Sequence, residues 1–492
     1  MKNRILRLCV LAIMITVWPI SSVCAASAAD MNGEYLQEVM DYVETQYNFD
    51  INDEELTQGA VKGMFDSLDA YSEFFTQEEA DQFLETIGGN FEGVGVMISK
   101  VENYVVVTRV LPSTPAERAG VLAGDKIVLV DDHNVVDASS DEVASRIRGE
   151  KETTVTLGVL RNGSQGIVKI DIVRDVIRIN PVHYEIKGDI AYLAIDSFNA
   201  NTYRYVYEAL NEIDEAGIKK VILDLRYNTG GEVRQAVLVA RHFVPEGIIT
   251  HLEFKNEAND DITYQSYLEE TQYELVLLVN ELTASASEIL AGAIQDSGAG
   301  VLVGTQTFGK ARVQNVVPLL TAEAAQRYKK ETGELIIDGN ELLRSYRIVP
   351  QKQDIAGWAD ITTGIYTTPN GRFIDGKGLT PDIEVADHGL VEDIFINNIV
   401  KLSKTEKPGL NSEGIDIYNA EKILRISGYE VDDPDMKMDA RTVQALQKFQ
   451  ADQGLYPYGI MDFTTQNALN TQLDQLLLEY DKQYAKAVEL LN

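Results

Sequence analysis

YELVLLVNELTASASEILAGAIQDSGAGVLVGTQTFGKARVQ, residues Tyr273 to Gln314, decides how the centre of this chain folds. YELVLLVN and AGVLVG are apolar, β-branched runs of strand length, and SEILAGAIQ between them has the composition of a buried helix. Strand, helix and strand in close succession point to a mixed α/β core. Ser285 falls where the first strand passes into the helix. A hydroxyl there meets unpaired N–H groups and the positive end of the helix dipole, which favours developing negative charge. Ser285-Ala286-Ser287-Glu288 is also a capping box, and a capping box alone only starts a helix.

Lys310, 25 positions further on, makes the serine more than a cap. A lysine acts as general base toward a hydroxyl when burial or positive surroundings keep it neutral. Gln314, four residues later, can orient that amine without adding charge. His133, His183, His242, His251 and His388 show no triad spacing around Ser285. Gly304 to Ala311, GTQTFGKA, nearly matches a phosphate loop. Ala311 stands where the Mg²⁺-binding hydroxyl belongs, however, and ARVQNVVPLL reads as strand rather than helix.

Outward from this stretch, residues 176 to about 390 alternate strands (AYLAIDSF, KKVILDLRY) with helices (NTYRYVYEALNEID, EVRQAVLVARHFV). Gly230 and Gly231 follow a strand end in DLRYNTGGEV, where bare backbone can approach a carbonyl. ADITTGIYTTPNGRFIDGKGLTPDIEV reads as a hairpin with a glycine turn. Residues 319–359 read as an insertion of unassigned role.

Residues 90–175 are short β runs broken by glycine, and 30–89 are helical and acidic. GVGVMI (Gly93 to Ile98) followed by PSTPAERAGVLAGDKIVLVD resembles a PDZ domain, a β-sandwich-like fold. The turn through Gly93, Val94 and Gly95 would hold a peptide carboxylate on backbone N–H groups. The next strand would offer its edge, with Val96 and Ile98 lining a side-chain pocket. Past a linker at 403–414, residues 415–475 form a small all-α unit resembling a peptidoglycan-binding domain. LDQLLLEYDKQYAKAVELL, running into 476–492, reads as one final helix serving core or oligomer packing, so a homodimer stays open.

The 492 residues carry 43 Lys+Arg against 77 Asp+Glu, a net charge of −34. That balance disfavours nucleic acid and anionic lipid as partners. Lys2, Arg4 and Arg7, the apolar run Leu8–Ile20 and Ala26-Ser27-Ala28 have the order of a secretory signal over 1–28. The alternative is an uncleaved anchor; either way the protein is expected outside the cytoplasm, secreted or held at the envelope. Cys9 and Cys24 both lie in that segment, so the mature chain would have no cysteine.

NELTASASEI, AGA and GTQTFGKARVQ, with ILDLRYNTGGEV before them and YTTPNGRFIDGKGLTPDIEV after, resemble the carboxyl-terminal processing (tail-specific) serine proteases. The likeness runs from about residue 35 to 386, GAVKGMFDSLDAYS included. It implies Ser285 as nucleophile, Lys310 as general base and Gln314 as the residue positioning the lysine. It also implies an oxyanion hole from the N–H groups of Gly231 and Ala286. Substrates would be proteins or peptides with free C-termini, cut near those termini, without metal or organic cofactor. Ala311 in place of a usual glycine, Thr229 and the 319–359 insertion depart from the pattern, and none removes a catalytic group.

Overall fold

The computed structural model describes residues 33–492, apart from 102, 162–163, 165, 257–259, 387–389 and 397–398. The expected signal segment and His388 lie outside the described residues. The chain divides into two units, one up to Phe74 and one from Phe75 onward. In the first, α1 (Gly33–Gln46) and α2 (Asp53–Asp66) are acidic helices, and no α1 side chain is buried.

The second unit opens with α3 (Gln77–Gly88), whose Thr76 and Glu79 form a reciprocal capping box. A two-stranded ribbon, Asn90–Gly93 against Asp175–Arg178, brackets the PDZ region at its two ends. Within it, strand Val96–Val101 stands at the edge of a sheet that continues through Tyr104–Val110, Lys126–Val130, Thr154–Leu160 and Ile167–Val173. A short helix α4 (Pro115–Ala119) follows the second strand, and α5 (Ser140–Ile147) packs on the edge strand.

The central sheet runs in the order Val182–Lys187, Ile190–Ile195, Lys220–Asp224, Glu274–Val279, Val301–Gly304, Ile383–Glu384. Its first pair is antiparallel and the rest are parallel. The first three parallel connections are made through α6 (Thr202–Glu215), α7 (Val233–Ala240) and α8 (Ala286–Ser297), and the fourth passes through the strands Arg312–Leu320 and Ile355–Thr367. Alternation along a strand sends Val221, Leu223, Leu275, Leu277 and Leu302 to one face, where these helices lie. Ile222, Val276, Leu278 and Val303 point to the other. Burial on both faces explains why these strands read as unbroken apolar runs.

Residues 355–384 correct the sequence reading. Ile355–Thr367 is a strand of 13 residues, but Ile383–Glu384 joins the central sheet instead of pairing back on it. The true hairpin is Arg312–Leu320 with Ile355–Thr367, and the insertion forms its tip. There α9 (Ala322–Thr332) and α10 (Gly339–Tyr346) close a small core of Leu320, Ala324, Ala325, Tyr328, Ile336 and Leu342.

Helices α11 (Ile415–Ile426), α12 (Ala440–Asp452) and α13 (Phe463–Tyr480) share a core around Ile423, Leu446, Phe449, Met461 and Leu469. The expected single last helix is two: α13 stops at Tyr480, and α14 (Lys482–Leu491) starts after Asp481. Tyr484, Ala487 and Leu491 of α14 fill the second face of the central sheet. The three-helix unit is therefore spliced between the last strand of the α/β core and the helix that covers it.

Candidate active site

The site gathers at the carboxyl ends of Lys220–Asp224 and Glu274–Val279, where α/β sheets place ligands. Ser285 is the N-cap of α8, with φ 56° and ψ −117°. That backbone, at the corner between strand and helix, costs a non-glycine residue on the order of 1–3 kcal/mol. Ser285 is half-buried, while Ala286 to Ile294 behind it are buried without a break.

Beside it runs the loop after Asp224. Asn228 is fully buried; its amide donates to the Ile195 carbonyl (2.8 Å) and accepts from Gly230 N (2.9 Å). Its own carbonyl accepts from Ala284 N and from Ser287 Oγ, both at 3.0 Å. This places Gly230 flat against the serine: a Cβ there would lie 2.9 Å from Ser285 Cβ and 3.0 Å from Ala286 N. At Gly231, φ is 133°, and a Cβ would fall 2.1 Å from the Phe198 carbonyl oxygen. Both glycines are thus required by close approach as well as by positive φ. Gly230 spends its N–H on Asn228 and its carbonyl on Phe198 N, and Gly231 is the exposed one at the rim.

Lys310, half-buried, follows Val301–Gly304 on a loop held by bare backbone. A Cβ at Gly309 would meet Gly378 N at 2.5 Å, and one at Gly378 would meet the Thr307 carbonyl oxygen at 2.0 Å. The GKGLT stretch, 376–380, thus backs the lysine loop before Ile383–Glu384 joins the central sheet. Ala311 is buried, and Gln314 sits on Arg312–Leu320 with its amide donating to Thr362 Oγ1 (3.0 Å).

Two buried side chains join the serine corner to the lysine loop. Glu288 accepts from Ser285 N (2.9 Å), Lys310 N (2.9 Å), Gly309 N (2.8 Å) and Thr307 Oγ1 (2.5 Å). Burial holds this carboxyl above the usual range, against the pull of those four donors. The Tyr366 hydroxyl lies 3.0 Å from the Ser285 carbonyl and 2.7 Å from that of Lys310. Sequence reasoning missed Tyr366 and Asn228, and read Glu288 only as a cap. S-x-x-E was the available signal for Glu288; Tyr366 and Asn228 lay unremarked inside quoted motifs.

Under the same loop, Arg226 is buried between Asp224 (2.6 Å) and Asp481 (2.9 Å), with Tyr192 donating to Asp224 (2.8 Å). Asp481 caps α14 through Tyr484 N (3.0 Å). Asp224 and Arg226 are two residues apart in sequence, whereas the third partner, Asp481, lies 255 residues from Arg226.

In the PDZ region, Gly95 has φ 87°, and a Cβ there would sit 2.4 Å from Thr114 Cβ. Val94 is buried in that domain's core, while Val96 and Ile98 pack half-buried against it along the edge strand. Gly93 ends the ribbon strand. Arg174 fixes the far end of α5, donating to the carbonyls of Ile147 (2.8 Å) and Arg146 (3.2 Å).

Comparison with known proteins gives these parts their family. Residues 189–385 match peptidase family S41, residues 93–172 a PDZ domain and residues 413–469 a peptidoglycan binding domain. The carboxy-terminal processing protease CtpA of Bacillus subtilis (strain 168) is 31% identical over 95% of this chain and 92% of its own length. The carboxy-terminal-processing protease of Bartonella bacilliformis is 33% identical over 71% of this chain and 74% of its own. The chain belongs to the carboxy-terminal processing proteases of family S41. It is accordingly a serine peptidase with a PDZ domain and a C-terminal peptidoglycan-binding module. A solved photosystem II D1 C-terminal processing protease is 26% identical, covering 72% of this chain and 88% of that one at a TM-score of 0.38.

Proposed function

We propose that this S41 peptidase cuts protein substrates near their C-termini with a Ser285–Lys310 dyad. The observation that carries this reading is the joining of the two loops: Glu288 and Tyr366 each bond both residue 285 and residue 310. Neutral Lys310 Nζ takes the proton of Ser285 Oγ as the oxygen attacks the scissile carbonyl. The tetrahedral oxyanion is held by the N–H groups of Gly231 and Ala286, the second an orphan donor of the first turn of α8. The lysine then passes the proton to the leaving amine, and the C–N bond breaks to give an acyl-enzyme. Water attacks the ester with Lys310 again as base, releasing acid and free Ser285. Gln314 orients the lysine amine.

The PDZ edge strand Val96–Val101 captures the substrate's C-terminal tail by strand addition, with its carboxylate in the Gly93–Gly95 turn. The signal-like N-terminus supports action outside the cytoplasm, and the 413–469 module supports residence at the cell wall. Cleavage mapping by mass spectrometry on C-terminally tagged substrates tests the dyad. Ser285→Ala and Lys310→Ala should each abolish product while tail binding persists. Full activity of Ser285→Ala removes the assignment.

A further inference from the structure

Glu288 does more than start a helix. A capping glutamate needs only the N-cap N–H, yet here one oxygen, Oε2, takes the N–H of Ser285 and of Lys310, both at 2.9 Å. The other oxygen takes Gly309 N and the Thr307 hydroxyl, so a single carboxylate holds three points of the lysine loop and the nucleophile together. The side chain is fully buried, so water cannot substitute for any of the four donors. On the carbonyl side, one Tyr366 hydroxyl spans the same two residues, and its ring is 1% exposed. Ser285 keeps a strained backbone, which persists only where its surroundings over-determine it.

We propose that Glu288 is the positioning residue of the dyad, setting the separation of Ser285 Oγ and Lys310 Nζ by clamping both backbones, with Tyr366 as its counterpart. This rests on the Ser285–Lys310 reading above. An acceptor-only group is required, because all four neighbours are donors. Glutamine has nearly the same shape but replaces one acceptor with an NH₂ that opposes two of them. A displacement of about 1 Å between reacting groups costs on the order of 100-fold in rate.

The test uses the full chain and a peptide substrate with an apolar free C-terminal tail, comparing wild type, Glu288→Gln, Tyr366→Phe, the double variant and Ser285→Ala. Glu288→Gln should lower kcat by about 100-fold while KM and tail affinity stay within about threefold, per folded enzyme judged by circular dichroism. Tyr366→Phe should lose about tenfold, and the double variant should lose less than the product of the two, because both act on one separation. A kcat within threefold of wild type in Glu288→Gln, with Ser285→Ala inactive, overturns the proposal and leaves Glu288 a helix cap. Activity surviving in Ser285→Ala instead overturns the dyad itself. If Glu288→Gln does not fold, Tyr366→Phe, which removes one hydroxyl and keeps the ring, decides alone: a kcat within threefold of wild type rejects the clamp.

Discussion

Arg226→Met tests whether the C-terminal helix is part of the catalytic unit. The guanidinium is 4% exposed and faces two carboxylates, Asp224 at 7% and Asp481 at 3%. Methionine fills much of the same volume without charge, leaving both carboxylates buried with no cation between them. Removing one partner from a buried ion pair costs about 3–5 kcal/mol, mostly as the penalty on the charge left behind. Asp481→Asn is the matched control. It keeps the Arg226–Asp224 pair and an oxygen to cap α14, so its cost should be lower, about 1.5–3 kcal/mol, the range of one hydrogen bond to a charged group. Urea unfolding followed by far-ultraviolet circular dichroism gives both numbers, and kcat at a temperature where each variant is folded reports the loop. Arg226 directly precedes Tyr227, which opens the turn to Gly231, so kcat should fall in Arg226→Met with KM nearly unchanged. A loss below about 1 kcal/mol, or equal losses in the two variants, would refute the uncompensated-charge reasoning.

Ending the chain at Asp481 should give an insoluble protein although every proposed catalytic group remains, because Ile222, Val276, Leu278 and Val303 lose their cover; sedimentation of the lysate measures it. Gly231→Ala should abolish turnover, since a Cβ would overlap the Phe198 carbonyl at 2.1 Å; unchanged kcat in a peptide assay counts against the glycine rim. Burial lifts Glu421 from 4.5 to about 7. With the folded value raised, its stabilising share is complete below about pH 4.5 and is lost as pH rises through 7. Hydrogen exchange in α11–α13 should therefore be faster at pH 8 than at pH 6 after correction for the intrinsic rate, and Glu421→Gln should flatten that difference. Arg174→Ala removes the groups that hold the α5 carbonyls and should weaken binding of an apolar-tailed peptide, read by fluorescence anisotropy.

The core strands were legible because parallel strands buried on both faces leave no polar alternation to mislead: KKVILDLRY and YELVLLVN can be little else. The place of Ser285 was legible because it separates an apolar strand run from a helical run, and the structure sets it at that strand-to-helix corner. The misread hairpin has an equally physical cause. IYTTPNGRF carries a genuine turn, but turn chemistry fixes only a change of direction and cannot say whether the next strand returns to its neighbour. Ile383–Glu384 goes to the central sheet because the intervening loop is spent backing Gly309. Tyr366, at the end of that strand, reads in sequence as one more β-forming aromatic; only its meeting with two carbonyls, 81 and 56 residues away, gives it a role.

The break at Asp481 shows what separation in sequence hides. LDQLLLEYDKQYAKAVELL contains no glycine or proline, and helical periodicity runs across the aspartate without a fault. The interruption is made by a partner, since Asp481 must face Arg226 and cap Tyr484 N at once. Those demands take the residue out of helical geometry, at φ −83° and ψ 84°. A helix break of this kind costs local hydrogen bonds and is recovered through a buried ion pair and three apolar side chains of α14. Burial of Leu491 alone is worth about 1.5–3 kcal/mol, and the Ala487 methyl adds about 0.8 kcal/mol. The amphipathic stripe of α14 announced only that something would cover it. A stripe cannot name its partner, and here the partner is the bare second face of the protease sheet.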